Sequence, residues 1–157
     1  MDKTGRKAIA TNRSARRDVE VLETIEAGIV LQGSEVKSLR AGHVQFADAN
    51  VWVRDGEAWL LGVHIAPWHT AQGAFGHDPD RRRKLLMHAV EIERLGARQA
   101  QERLLLVPLS LYFKDGRAKV EVALGRGRRQ ADKRQVLAER DATREAERAM
   151  KFRDRGR

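Results

Sequence analysis

The stretch VQFADANVWVRDGEAWLLGVHI, residues 44–65, decides the fold class. Valine, isoleucine and aromatic residues are frequent along it, and the run is broken at Asp55-Gly56. Such runs are typical of β-strands, and an Asp-Gly pair readily adopts the positive φ angles of a two-residue hairpin turn. The stretch therefore predicts two antiparallel strands and a mainly β protein.

Further strand patterns lie on both sides of this hairpin. The apolar run around Glu26-Ala27-Gly28 predicts a strand pair with its tip at these residues. The run from Leu104 to Leu124, interrupted at Asp115-Gly116, predicts a third hairpin, and Leu85 to Met87 could close another strand. About five or six short strands favour a small closed antiparallel barrel of the OB type over a sandwich.

Two or three short helices complete the expected fold. Ser34 is placed to cap a helix that ends near Gly42, and the residues from Val90 to Arg98 have the pattern of a surface helix. Residues 66–82 are expected to form an exposed loop that ends in the basic run 81–84. A third helix is plausible in the tail, where Arg140, Arg144 and Arg148 recur every four residues.

Positive charge is concentrated at the two ends of the chain. The formal net charge is +9, whereas the stretch from residue 18 to 124 carries a small net negative charge. This distribution divides the chain into a basic N-terminal arm (1–17), an OB-like core (18–124) and a basic tail (125–157). The tail has few large apolar residues, so we expect it to be disordered when free and helical on a partner. Basic extensions on a nearly neutral core favour an RNA partner.

Other features limit where the protein acts. There is no cysteine, and the first residues lack the apolar segment of a secretion signal. No apolar run approaches the roughly 18 residues that a membrane-spanning helix needs. We therefore expect a cytoplasmic protein without a membrane partner, and we expect a monomer.

The sequence offers few residues that could form a catalytic or metal-binding site. The five histidines include no pair at the i,i+4 spacing of zinc hydrolases, so no metal or other cofactor is expected. His77-Asp78 could form an oriented base, but the nearest serine in the sequence is Ser110. The segment Gly125-Arg-Gly-Arg128 lacks the ending of a phosphate-binding loop. We therefore predict that the protein is not an enzyme.

The aromatic residues and one glutamate bear on the kind of RNA. Aromatic residues make up 5% of the chain, and those in the hairpins are more easily assigned to the core than to base stacking: Trp52, Trp59, Tyr112 and Phe113. A folded RNA is therefore favoured over a single strand. Glu26 could accept hydrogen bonds from bases or 2′-hydroxyls, but an ion pair with Arg13 or Arg16 is an equally simple role.

Several motifs lie at consistent spacing over most of the chain: IATNR (9–13), EAGIVLQGSEVKSLRAG (26–42), DGEAWL (55–60), DP (78–79), RKLL (83–86), PLSLYFK (108–114) and DKR (132–134). Together they resemble the SsrA-binding protein family. The resemblance implies an OB-like barrel that binds the tRNA-like domain of tmRNA and delivers it to stalled ribosomes for trans-translation. It further implies that the tail enters the decoding region of the small subunit and the empty mRNA channel.

The resemblance also implies which residues act. The family's RNA-contacting positions correspond to Asn12, Glu26, Leu86 and His88, and we add the basic residues Arg13 and Lys84 of the matched strings. The tail motif corresponds to Asp132, Lys133 and Arg134, preceded by Arg128 and Arg129. Val19 and Ala131 depart from the family, which often has an aromatic at the first position and His or Tyr at the second.

Two other functions would fit the same basic extensions. A constitutive ribosomal or ribonucleoprotein component would remain bound to every ribosome. An enzyme that cleaves or modifies RNA would need a base or metal cluster, for which the sequence offers no candidates.

Overall fold

A computed structural model of the chain describes residues 5–70, 73–74, 77–128 and 139–148. Its elements follow in chain order: β1 (Arg6–Thr11), α1 (Arg13–Asp18), β2 (Val19–Ile29), α2 (Gly33–Arg40), β3 (Val44–Arg54), β4 (Glu57–Ile65), β5 (His69–Thr70), β6 (Gly73–Ala74), β7 (Arg83–Leu86), α3 (Ala89–Glu102), β8 (Leu105–Lys114) and β9 (Arg117–Gly127). Residues 139–148 form a further helix, α4. None of the described helices is long and apolar enough to cross a membrane.

Seven of the strands form one antiparallel sheet in the order β1-β8-β9-β2-β7-β4-β3, and β5 pairs with β6 in a separate two-stranded sheet. The sheet encloses an apolar core to which α2 and α3 contribute Leu39, Ile92 and Leu95. The prediction of a mainly antiparallel β protein is confirmed.

The predicted closure of the barrel is not confirmed. β3 lies against β8, so the sheet is curved, but in the described part of the chain no hydrogen-bonded ladder joins its edge strands β1 and β3. Closure requires each edge to pair along its length. Among the described strands, the outer edges of β1 and β3 are therefore not joined to each other.

The hairpins predicted from the two Asp-Gly pairs are confirmed. Asp55 and Gly56 have φ of 53° and 73°, and Asp115 and Gly116 have φ of 52° and 78°. These left-handed angles match the two-residue turns whose twist suits antiparallel strands. The turns join β3 to β4 and β8 to β9.

The predicted strand pair around Glu26 is wrong. β2 runs without a turn through all 11 residues, and its partner from Val19 to Gly28 is β9, near the other end of the chain. Gly28 keeps an extended backbone instead of turning. Its missing Cβ admits Leu86 of β7, because a Cβ at this glycine would lie 3.3 Å from that of Leu86.

The segment predicted as a basic N-terminal arm contributes β1 and α1 to the fold. β1 pairs with β8, and α1 packs its buried Ala15 beside Val19. Asn12 begins α1, because its Oδ1 accepts a hydrogen bond from the Ala15 N–H at 3.3 Å. At the other boundary, β9 continues past residue 124 to Gly127, which pairs with Val19.

Helices α2 and α3 form where they are predicted, but they begin or end at different residues. α2 begins one residue before Ser34, and the Gln32 N–H donates to the Glu35 Oε1 at 2.8 Å, so Ser34 does not cap it. Gly42 follows the helix with a φ of 76°, as expected for its end. α3 extends to Glu102, where Arg103 takes a left-handed conformation.

The basic run 81–84 is only partly exposed, which corrects the prediction of an exposed loop end. Arg83 keeps 1% of its surface exposed, and Glu35 of α2 keeps none. The Arg83 Nε donates to Glu35 at 2.7 Å, and its two Nη atoms donate to the carbonyls of Val63 and Pro79 at 2.5 and 3.0 Å. Arg81 reaches the other oxygen of Glu35 at 2.5 Å. This buried network holds α2 against β4 and β7.

The same network sets the protonation of Glu35. Burial alone would raise the pKa of this carboxyl group. Hydrogen bonds from the Gln32 N–H, Arg81 and Arg83 outweigh burial, so the pKa lies below its ordinary value near 4.5. Glu35 is therefore ionised in the folded protein at neutral pH.

Replacing Glu35 by glutamine should destabilise the fold strongly. The buried Arg83 would lose its counter-charge, and removing one partner of a buried pair costs about 3–5 kcal/mol. Urea unfolding followed by circular dichroism measures the change. Glu57→Gln is the matched control, because Glu57 forms an ion pair with Lys84 at a half-exposed site. Equal midpoints for the two variants would contradict a structural role for this network.

The pH dependence of stability follows from the same group. Because the pKa of Glu35 is depressed in the folded state, its stabilising contribution is present above the unfolded-state pKa and is lost as pH falls through the folded-state pKa. Unfolding midpoints between pH 7 and 3 should therefore fall more steeply for the unaltered protein than for Glu35→Gln. Parallel profiles would contradict this assignment.

Candidate nucleic-acid interface

Strand β7 presents two of the predicted site residues on the outer face of the sheet. Arg83 and Leu85 are buried, so the alternation of a strand turns Lys84 and Leu86 outward. Leu86 pairs with Gly28 of β2 and keeps 57% of its surface exposed. A large apolar side chain in this position offers a contact surface to a partner.

Three sequence-predicted residues meet in one cleft beside Leu86. The cleft has a volume of about 380 Å³ and is lined by Glu26, Gly28, Leu86, Met87, His88, Glu91 and Lys119. Glu26, Leu86 and His88 are thereby brought together from β2, β7 and the start of α3. An adjoining cavity of about 270 Å³ shares Gly28, Leu86 and Lys119 and extends over Phe113 to Arg117.

Glu26 lies at the centre of a group of donors on the outer face. Its carboxylate accepts hydrogen bonds from the Tyr112 hydroxyl at 2.5 Å, from Arg6 at 3.2 Å and from Lys114 at 3.4 Å. The Arg6 guanidinium also stacks over the Tyr112 ring at 4.4 Å. The hydrogen bond from Tyr112 is the main cause that lowers the pKa of Glu26, and Lys114 and Arg6 add to it against the effect of burial.

These contacts correct the expected ion pair of Glu26. The partners are Arg6 and Lys114, not Arg13 or Arg16. The difference arises from strand order, because β9 lies beside β2, β8 lies beyond β9, and β1 lies beyond β8. Burial and the Glu26 carboxylate also raise the pKa of Tyr112 far above its ordinary value, so the phenol remains a hydrogen-bond donor.

Asn12 and Arg13 do not line this cleft. Asn12 is buried, and its Nδ2 donates to the Pro108 carbonyl at 2.9 Å while its Oδ1 accepts from Ser14 and Ala15. Its amide thus fixes the start of α1 to β8. Arg13 follows it with an exposed side chain.

Lys84 is also outside the cleft lining. Its Nζ lies 3.1 Å from Glu57 of β4, on the far side of β7 from Glu26. Its side chain is about half exposed.

Of the predicted tail residues, the structure describes Arg128 alone. The Arg128 N–H donates to the Asp18 carbonyl at 2.8 Å, which continues the pairing of β9 with β2 by one residue. Arg129, Asp132, Lys133 and Arg134 lie outside the described residues, as does Ala131. All ten residues of α4 are exposed.

The aromatic residues divide into two groups. Tyr112 and Phe113 are buried, as the core assignment predicted. Trp59 is half-buried, and Trp52 keeps 52% of its surface exposed, which corrects its assignment to the core. Val19, the departure from the family pattern, is buried beside α1.

Sequence reasoning missed several members of the site. Lys119 lines both cavities, and Arg6 and Lys114 contact Glu26. The alternating pattern of residues 119–122 placed Lys119 on the outside of a strand. Its position opposite Gly28 depends on the pairing of β2 with β9, which no local pattern specifies.

His77 has a partner that the sequence did not reveal. Its Nδ1 lies 2.9 Å from the Ser34 hydroxyl and its Nε2 lies 2.8 Å from the Ile65 carbonyl. A carbonyl only accepts, so Nε2 donates to Ile65, and in the neutral ring Nδ1 then accepts from the Ser34 hydroxyl. The pair joins α2 to the end of β4. In the part of the chain that the structure describes, no three histidine, aspartate or glutamate side chains are grouped to hold a metal ion.

Comparison with known proteins gives concordant results. The SmpB protein family matches residues 9–152 of the chain. The SsrA-binding protein of Parafrankia sp. (strain EAN1pec) is 55% identical over 154 residues, covering 98% of this chain and 97% of that protein. The SsrA-binding protein of Acidothermus cellulolyticus (strain ATCC 43068 / DSM 8971 / 11B) is 54% identical over 154 residues, covering 98% and 96%.

A solved structure is similar as well. It is described as "tmRNA-SmpB: a journey to the center of the bacterial ribosome" and is 45% identical, with a TM-score of 0.65. The match covers 83% of this chain and 94% of that one. Motifs, fold and full-length identity agree, and the chain therefore belongs to the SmpB family of SsrA-binding proteins.

Proposed function

We propose that this protein binds the tRNA-like domain of tmRNA and carries it to ribosomes stalled on incomplete messages, where the tail engages the decoding region and the mRNA channel. The adaptor acts in the bacterial cytoplasm and catalyses no reaction. Family membership and the similar structure described with tmRNA and the ribosome support this function. The single structural observation that carries it is the cleft joining Glu26, Leu86, His88 and Lys119.

The chemistry of the cleft suits a folded RNA. Leu86 offers an exposed apolar surface on which a base or sugar could pack, and Lys119 supplies a cation for phosphate. The Glu26 carboxylate is an acceptor, which matches base amino groups and 2′-hydroxyls. Its three protein donors hold it in place and offset its charge, so it does not repel the phosphates nearby.

Residues outside the cleft are given separate roles in this proposal. Asn12 positions α1, so that Arg13 and the exposed arginines of that helix face the RNA backbone. Lys84 extends the positive surface along β7. Arg128, Arg129, Asp132, Lys133 and Arg134 direct the tail from the end of β9 towards the ribosome.

The alternative function is that of a constitutive ribosomal protein. The identity of the bound RNA distinguishes the two functions. Sequencing the RNA that copurifies with the full-length protein should yield one dominant tRNA-like species. The alternative would be favoured if the protein sedimented with every ribosome, translating or stalled, and if ribosomal RNA were the main copurifying species.

Glu26→Ala should weaken binding of tmRNA by about 1–3 kcal/mol with little change in the dependence on salt, because the proposed contact is to a base or sugar. Filter binding at several salt concentrations measures both quantities. Glu20→Ala is the control, because Glu20 is an exposed carboxylate of the same strand that does not line the cleft. An altered salt slope with unchanged affinity at a reference salt concentration would indicate a purely structural ion pair instead.

Leu86→Asp should reduce tmRNA affinity by at least tenfold, because it places a charge on the apolar centre of the contact. Leu86 is largely exposed, so the melting temperature should change little. Leu105→Asp is the matched control: Leu105 keeps 43% of its surface exposed and does not line either cavity. Equal affinities of the two variants would remove Leu86 from the interface.

Ending the chain after Arg128 should leave tmRNA binding intact and abolish the tagging of proteins on stalled ribosomes. The cut preserves the last hydrogen bond of β9. It removes α4, whose ten residues are all exposed; so short a helix is marginal in water, and we expect ribosomal RNA to stabilise it. Binding and tagging assays measure the two effects, and replacement of Asp132, Lys133 and Arg134 by alanine should reproduce much of the loss. Amide exchange should be fast in the tail of the free protein and slow on the ribosome. Tagging by the shortened protein would contradict this role.

A further inference from the structure

A second group of side chains lies on the outer face of the sheet, next to the cleft but outside it. Trp52 of β3 pairs directly with Trp59 of β4, and Trp59 pairs with Lys84 of β7. We call this group the tryptophan strip; it comprises Trp52, Arg54, Glu57, Trp59, Arg82 and Lys84.

Each of the two tryptophans in the strip has an arginine guanidinium over its ring. The Arg82 Cζ lies 4.6 Å from the Trp59 ring centroid, and the Arg54 Cζ lies 5.7 Å from that of Trp52. The strip thus holds three cations against the single carboxylate of Glu57, which pairs with Lys84. Aromatic rings interleaved with arginines are typical of surfaces on which unpaired bases stack while phosphates meet the cations.

Packing among the residues that the structure describes does not account for the position of Trp52. A cross-strand pair of aromatics stabilises a hairpin, and Trp59 is half-buried in that way. Trp52, however, leaves half of its surface in water, beside an arginine that is itself exposed. Apolar surface of this size is unfavourable in water, so an occupant that covers the ring would gain hydrophobic and stacking energy.

The position of the tryptophan strip beside Leu86 indicates which partner covers it. Leu86 and Lys84 are neighbours on the outer face of β7, and β3 lies two strands away, at a distance of about 10 Å. An RNA that covers Leu86 is therefore within reach of Trp52. A folded RNA offers unstacked bases in its loops, which aromatic side chains can receive.

We propose that an unpaired nucleobase of the bound tmRNA stacks on Trp52, with its flanking phosphates against Arg54 and Arg82. This assignment rests on the proposed function and deepens it. The tmRNA-binding surface then extends from the cleft at Glu26 across β7 to the edge strand β3.

The test measures the Kd of the full-length protein for tmRNA over a range of salt concentrations. Trp52→Thr keeps a residue suited to a strand and removes the ring; it should raise the Kd by about 5- to 100-fold without changing the salt slope. Trp52→Phe should recover most of the affinity.

Arg54→Gln should reduce the salt slope by about one, as expected for one lost phosphate contact. Leu105→Thr is the control for loss of an exposed apolar side chain.

A second measurement remains informative if Trp52→Thr folds poorly. Stacking of a base quenches indole fluorescence, so tmRNA should quench the unaltered protein more than the Trp52→Phe variant. Equal quenching, or unchanged Kd for well-folded Trp52→Thr, would overturn the assignment. A loss confined to ribosome binding would also overturn it, because it would transfer the strip to ribosomal RNA.

The two proposals fail in different ways. If Glu26→Ala weakens tmRNA binding and Trp52→Thr does not, the strip is excluded and the function stands. If the unaltered protein shows no preference for tmRNA over other structured RNA, the proposed function itself fails.

Discussion

Arg83 must find acceptors for a charge that has almost no access to water, and the arrangement of the surrounding elements follows from this requirement. Glu35 of α2 supplies the counter-charge, and the carbonyls of Val63 and Pro79 accept the remaining hydrogen bonds. Four separate parts of the chain are thus fixed at one point. A strand alternates its sides, so burying Arg83 also determines that Lys84 and Leu86 face outward.

The outer face combines features that would be unstable in a core. A carboxylate, several cations, a phenol and exposed apolar side chains lie on neighbouring strands. In a protein that functions alone, this surface would leave apolar area uncovered and charges only partly offset. In a protein that binds RNA, the same groups provide stacking, phosphate contacts and base or sugar recognition.

Local chemistry made much of the fold predictable. The turns at Asp55-Gly56 and Asp115-Gly116 and the end of α2 at Gly42 follow from backbone preferences that a few residues determine. Pairing between distant strands has no such local signal. The sequence therefore predicts the wrong arginine partners for Glu26 and divides β2 into two strands, and its charge pattern does not indicate that residues 6–11 form β1.

The residues of the cleft also divide into those that the sequence indicates and those that depend on the pairing of distant strands. Motif resemblance selected Glu26, Leu86 and His88, which the fold brings to one cleft, yet Lys119, Arg6 and Lys114 depend on the register of β2, β9, β8 and β1. Trp52 was assigned to the core because aromatic side chains in strands are usually buried. Trp52 alternates along β3 with Val51 and Val53, which face the core, and only the assembled sheet shows which of its two faces encloses that core.

The pairing of β2 with β9 and of β1 with β8 has a consequence for how the chain acquires its structure. The first two strands emerge from the ribosome roughly 100 residues before their partners, which at bacterial rates of synthesis is about 5–20 s. During that interval β1 lacks its partner β8, and β2 lacks β9 and can form only its short pairing with β7. Non-local pairing of this kind also slows folding itself. A nascent chain that lacks β8 and β9 cannot complete the sheet, so the sheet forms fully only after Gly127 has been synthesised.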